Sequence, residues 1–380
     1  MHEHKHNQCK RKVKHRKNVM KLIIFCITVG ISLMFIYYQN LRKEIDARQK
    51  WLETVLTGEK KWILENQGPE GEFYMNGSKA GDVNPYFACM AALGLLAETK
   101  NCLITETEKK AVNRYLDWHT GILLETDGKM GIYRKESGKL IYKEKADSED
   151  GYLGMYLFLM GKYLEKTEST DLSEYWKKGI SLALKKIQSL MQDGITQVSG
   201  ENTTVYLMDN LEVWKGLYEL EHAGLKDMPV VSEMRKKLQA QIEKLFWDDA
   251  NQRWRIIENS DLYHQKEFYP DGVAQIYPLI YEFPVKEKKK QKILYEQFTE
   301  RFQWQKLNKK RNGFLWAMAG MAAAQMGDIN NLLEMIRNYE AEYCENRKYP
   351  LYTGEAGWIC MECEKLYSLY ERKIKTGFLV

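Results

Sequence analysis

The sequence predicts an all-α fold: an (α/α)6 toroid of six helical hairpins, with an N-terminal transmembrane helix and small β-hairpins in the long loops. Three observations predict it. Helical periodicity runs through most of the chain beyond residue 50. Amphipathic segments alternate with segments that are apolar nearly all round. The connections alternate too, short after one kind of segment and mostly long after the other.

The 380-residue chain is 44% hydrophobic and 12% aromatic, the composition of a globular protein with a large core. Its charge is unevenly placed. Residues 1–43 hold ten Lys and Arg against the single acid Glu3, which leaves 47 basic and 51 acidic residues in the remainder. The net charge of +5 therefore belongs to the N-terminus, and a nucleic-acid partner is excluded because the body has no basic face. The basic run precedes "LIIFCITVGISLMFIYY", Leu22 to Tyr38, which carries no charge. As a helix it is about 26 Å long, close to the roughly 30 Å of a bilayer core. The preceding cations favour a cytoplasmic N-terminus, and Tyr37 and Tyr38 stand where an interfacial aromatic belt forms. A cleaved signal peptide is the rival, weakened by the long apolar run and by "YYQNLRKE", which has no small-x-small site. The expected organisation is a basic cytoplasmic tail (1–21), a signal-anchor helix (22–38), a juxtamembrane linker (39–49) and an extracytoplasmic toroid (50–380).

Cysteine and histidine set further bounds. Cys9 and Cys26 fall in the tail and anchor, leaving Cys89, Cys102, Cys344, Cys360 and Cys363, an odd number unlike a disulfide scaffold. Cys360 and Cys363 form a CxxC inside an apolar helical pattern with no second pair, and read as core thiols. Outside the tail only His119, His222 and His264 remain, so neither a metal centre nor a cofactor is expected.

The amphipathic segments include "SEYWKKGISLALKKIQSLM", with Trp176, Ile180, Leu184, Ile187 and Met191 on one stripe. Such a helix has one wet face and belongs outside. "PYFACMAALGLLAE", "GYLGMYLFLMGKYL" and "NGFLWAMAGMAAAQMG" have no wet face and must be buried all round. Outer-type helices are expected at 50–66, 106–123, 171–191, 230–247, 286–302 and 328–343. Inner-type helices are expected at 83–98, 149–165, 207–222, 272–283, 312–326 and 355–371. An open solenoid would not strip one helix of every pair of its polar face. Outer-to-inner links are long, and "GIYRKESGKLIYK" in the second alternates around Ser-Gly as a β-hairpin does. These loops emerge at one end of the inner ring, where function concentrates.

At that end five of the six inner helices open with a carboxylate and an aromatic nearby. They are "AGDVNPYF" (Asp82, Tyr86), "ADSEDGYLG" (Asp147, Asp150, Tyr152), "VYLMDNLEVW" (Tyr206, Asp209, Trp214), "FYPDGVAQIY" (Tyr269, Asp271, Tyr277) and "YTGEAGW" (Glu355, Trp358). The sixth, "KRNGFLW", carries Arg311 and Trp316. Each acid alone is explained as a helix cap. Five converging on one mouth repel one another and raise some pKa values, the condition a general acid needs. Carboxylate pairs beside aromatic platforms are what glycoside hydrolysis uses. Asp82 and Asp150 are the first pair expected to be catalytic, with Asp271 and Asp209 as alternative base or orienting groups. Asp147, Tyr86, Tyr152, Tyr206, Trp214, Trp316, Glu355 and Trp358 are expected to bind substrate, although Trp214 and Trp316 also fit a core position. In the second motif Asp147 is the expected cap and Asp150 the acid facing the cleft.

This arrangement over residues 50–371 resembles the six-hairpin glycosidases, and "SEDGYLGM" (148–155) is similar to the acid-bearing run of family 8, with its glycines out of register. The resemblance implies an enzyme acting on a cell-surface or secreted polysaccharide or oligosaccharide. It also implies functional acids at the first, second and fourth inner helices, here Asp82, Asp147 or Asp150, and Asp271. Two other classes fit the same toroid. A polysaccharide lyase would draw on Tyr263, His264, Arg253 and Arg255, and a non-catalytic glycan-binding subunit would serve a polysaccharide synthesis or export machinery.

Overall fold

The structure, a computed structural model, describes residues 2–77, 81–136, 139–169, 172–224, 229–258, 267–307 and 313–375. The chain divides into two compact units, Met1–Leu52 with Arg372–Val380, and Glu53–Glu371. Residues 2–52 of the first unit belong to helix α1 (His2–Glu65), so the expected linker at 39–49 is helical. The apolar side chains from Met20 to Tyr37 are exposed. The helix is long and apolar enough to cross a membrane.

The second unit is the toroid. Its inner helices are α2 (Pro85–Leu95), α4 (Glu149–Thr167), α6 (Leu207–His222), α8 (Val273–Ile280), α10 (Ala319–Met326) and α12 (Thr353–Lys375). Around them stand the end of α1 and α3 (Glu106–Glu125), α5 (Glu174–Leu190), α7 (Pro229–Phe246), α9 (Lys288–Phe302) and α11 (Ile329–Tyr339). Each inner helix packs on the next, α2 on α4, α4 on α6, α6 on α8 and α8 on α10. The ring closes where Trp358 of α12 meets Met90 of α2. The alternation in the sequence has its cause here: α4 buries fourteen of nineteen residues, whereas α5 buries only its Trp176–Ile180–Leu184–Ile187 side.

The glycines of α4 are explained by its neighbour. A Cβ on Gly154 would lie 2.7 Å from the Val213 backbone nitrogen, and one on Gly161 would lie 2.5 Å from the Glu219 carbonyl carbon. These helices touch backbone to backbone. Gly154→Ala is therefore expected to lower stability by about 1–3 kcal/mol through overpacking, read as a lower Tm by circular dichroism.

The long links hold the strands. A three-stranded antiparallel sheet orders β1 (Asp82–Val83), β2 (Gly131–Glu136) and β3 (Lys139–Lys145), so the expected hairpin forms and also captures the segment before α2. Two further hairpins, β4 (Met191–Gln192) with β5 (Ile195–Thr196) and β6 (Trp247–Asp248) with β7 (Arg253–Trp254), lead into α6 and α8. At the other ends of the inner helices lies a buried ion network in which Lys215 meets Glu219 at 2.7 Å and Glu282 at 2.9 Å.

Two boundaries depart from expectation. α10 starts at Ala319 and not near 312, after a stretch in which Trp316 takes a left-handed φ of 58°. α8 is preceded by a π-helical turn, Phe268–Gly272, in which Tyr269 is extended. The CxxC thiols Cys360 and Cys363 are free and buried, as core residues.

Candidate active site

At the N-terminal ends of the inner helices lies a cavity of about 620 Å³. Asp82, Asp147, Asp209 and Glu355 line it, as do Tyr86, Tyr152, Trp316 and Trp358. Eight of the twelve expected site residues thus meet around one space. Glu144, Glu212, Tyr269, Tyr277 and Phe314 also line it.

The other four stand elsewhere. Asp150 is fully buried, accepting hydrogen bonds from Ser148 Oγ at 2.8 Å and Thr196 Oγ1 at 2.7 Å. It lies behind the wall of the cavity, not in it. The helix cap is Ser148, whose Oγ accepts from the Gly151 N–H at 3.2 Å, and not Asp147, which is free to face the cavity. Asp271 lines a separate groove with Arg253, Gln275 and Phe302. Trp214 is a core residue, its ring 5.2 Å from Tyr218 and 4.9 Å from Phe283. Tyr206 is the residue at which α6 starts and does not line the cavity. Tyr263, His264 and Arg311 lie outside the described residues. Arg253 is in the separate groove and Arg255 pairs with Asp248 at 3.4 Å.

Asp82 sits at the rim on β1, not on the helix. Arg134 Nε and Lys143 Nζ each approach it at 2.7 Å, and the arginine hydrogen bond holds its carboxyl below the usual range. An acid paired with two cations is a poor proton donor at neutral pH, and Asp82 better serves to fasten the β2–β3 hairpin over the cavity.

Glu212 is the member that the helix-terminus pattern missed. It stands one turn beyond Asp209 on α6, the i, i+3 spacing that places two side chains on one face. Only 3% exposed, it lies at the base of the cavity, where its Oε1 accepts hydrogen bonds from Tyr86 Oη and, at 2.7 Å, from Tyr277 Oη. Tyr281 Oη approaches the same oxygen at 3.4 Å. Burial pushes Glu212 up to about 7, against the stabilising tyrosine hydrogen bonds and with the negative potential of Asp150 and Asp147. Asp209, partly open to the cavity, is raised well above the carboxylate range by desolvation first, then by Asp150 and Glu212. Burial also raises Asp150, to about 6.

Glu355 supports the opposite wall. Its oxygens accept the Trp316 N–H at 3.1 Å and the Ala317 N–H at 2.9 Å, fixing the left-handed backbone that turns the Trp316 ring toward the cavity. Its burial raises it to about 7 in spite of those donors.

Comparison with solved structures finds matches over most of the chain. A protein described as a wild-type glycosidase superposes with a TM-score of 0.61 at 12% identity, covering 85% of this chain and 98% of its own. An inactive α-1,6-mannanase variant of Salegentibacter sp., in complex with α-1,6-mannotetrose, gives 0.57 at 10% identity, with 84% and 99% covered. The shared fold is a toroid of six helical hairpins. At such identities the likeness is one of fold, and a D-mannose isomerase shares it with a TM-score of 0.56, 12% identity and 84% and 97% covered. No family model matches the sequence. No curated protein matches it either.

Proposed function

We propose that the protein is a membrane-anchored, extracytoplasmic glycoside hydrolase that cleaves a cell-surface or secreted polysaccharide. The observation carrying this reading is the placement of Asp147, Asp209 and Glu212 in one cavity walled by tyrosine and tryptophan rings. Asp209, held protonated by its surroundings, gives its proton to the leaving glycosidic oxygen. Asp147, the exposed acid across the helix start, acts as the base or nucleophile. Glu212 and its tyrosines set the potential between them and fix the floor. The glycosidase and mannanase neighbours support the reading through fold, and the apolar helix after a basic tail supports the anchor.

A lyase would need a cation to neutralise a uronate. Among the described lining residues the only cation is Lys145, set against Asp82, Glu144, Asp147, Asp209, Glu212 and Glu355. Full-length protein in detergent, incubated with a panel of polysaccharides that includes α-1,6-mannan and starch, is expected to release new reducing ends without ultraviolet-absorbing double bonds. The double variant Asp147→Asn, Asp209→Asn is expected to release none. Unsaturated products would establish the lyase, and binding without release of any product would establish the non-catalytic subunit.

A further inference from the structure

We infer that the protein carries a second carbohydrate-binding subsite outside the cavity, on Tyr349 and Tyr352, which holds the continuing chain of a neutral polysaccharide whose scissile part occupies the cavity. This rests on the carbohydrate reading of the cavity itself. Its basis is an unbroken run of aromatic rings. Tyr269 and Trp316, both in the cavity wall, have centroids 4.8 Å apart. Trp316 is 5.9 Å from Phe314, which also lines the cavity. Phe314 is 5.5 Å from Tyr352, and Tyr352 is 6.2 Å from Tyr349.

The run thus begins in the cavity and ends on the open surface. Tyr349 is 69% exposed, an unusual position for so large a ring with no core to fill. Phe87, in the cavity wall, stacks on Phe314 with an interplanar angle of 17°, so the inner part of the run has a flat, fixed backing. Successive rings of the outer run meet at steep angles, 67° for Phe314 on Trp316, 54° for Tyr352 on Phe314 and 81° for Tyr349 on Tyr352, so they line the wall without stacking, and the exposed Tyr349 ring is the face left open to the apolar C–H face of a pyranose. The occupant follows from continuity with the cavity: a chain leaving it along this wall meets Tyr352 and then Tyr349. It is neutral because Asp147 and Glu144 line the cavity with Lys145 as the one cation among the described lining residues, an arrangement that does not favour uronates or phosphorylated sugars.

The subsite is tested by calorimetric titration of the full-length Asp147→Asn protein in detergent with α-1,6-manno- and malto-oligosaccharides, from the disaccharide to the octasaccharide. Affinity for one series is expected to rise with length and then level off. Adding Tyr349→Ala should remove the last step of that rise, a loss of about 3- to 10-fold for the longest members. Tyr349→Phe, which keeps the ring, should restore it. The inference is overturned if the loss is the same at every length, if Tyr349→Ala changes nothing, or if neither series binds. Binding needs no turnover, so a length effect in a protein without hydrolytic activity would leave the subsite standing and remove the catalytic proposal. Hydrolysis whose rate is indifferent to both chain length and Tyr349 would do the reverse.

Discussion

Asp209→Asn is expected to lower kcat on the cleaved polysaccharide by about 10²- to 10⁴-fold, the contribution of a positioned general acid, with a much smaller change in KM. The amide keeps the shape of the side chain and cannot deliver a proton. The pH profile makes the test specific. Asp209 is raised by desolvation and then by the neighbouring Asp150 and Glu212 carboxyls, so the alkaline limb of kcat/KM should lie well above that of an ordinary aspartate. Activity falls as pH rises through this limb because the donor loses its proton. Asp150→Asn removes one of the charges that raise Asp209 without entering the cavity, and should move the limb to lower pH while leaving measurable turnover. An alkaline limb unmoved in Asp150→Asn, or an Asp209→Asn protein with near-normal kcat, would reassign the proton donor.

The helical architecture was legible because burial leaves a mark on composition. A segment such as 149–165 has no polar stripe because α2, α3, α5 and α6 or the ring interior cover every side of it, and Gly154 and Gly161 stand where another backbone presses in. The end of the toroid holding the site was legible for a similar reason, since the acids recur at one terminus of successive helices. Side-chain direction was not. With about 100° between successive helix residues, one change of cap rotates the whole first turn. Once Ser148 takes the cap, Asp147 is left outside the helix facing the cavity, and Asp150 turns back to Thr196 on β5. Asp271 was displaced by the π-helical turn, which presents Tyr269 to the cavity and leaves the acid in the neighbouring groove. Glu212 was hidden inside an apolar helix. Its i, i+3 relation to Asp209 was present in "MDNLE", but the three tyrosines that accommodate it come from α2, α8 and the residue that caps α8, and only the fold brings them together.

Glu212 should also make the protein less stable as pH rises across the neutral range. Its carboxyl ionises near 4.5 when unfolded and at about 7 in the fold. Below pH 4.5 both states are protonated and the full stability is present. Between these values only the unfolded state releases its proton, so stability falls by about 1.4 kcal/mol per pH unit, on the order of 3 kcal/mol in total, and levels off above the folded value. Glu355, at about 7, and Asp150, at about 6, act in the same direction. Acids lowered by ion pairing, such as Glu282 at about 2, lose their contribution only as pH falls below the ordinary carboxylate range, outside this window. Buried His119, held down to about 3, opposes the acids below its ordinary value, but the raised carboxyls outweigh it, so Tm should be higher at pH 5 than at pH 8. Glu212→Gln should remove Glu212's share of that fall, giving a variant with a shallower slope than the parent's, though impaired in turnover. Tyr277→Phe takes away a hydrogen bond that favours the ionised form, and should extend the decline to higher pH. An equal slope in the parent and in Glu212→Gln would show that Glu212 ionises as freely in the fold as in the unfolded chain. The tyrosine clamp would then hold a carboxylate, and Glu212 would compete with Asp147 for the role of base.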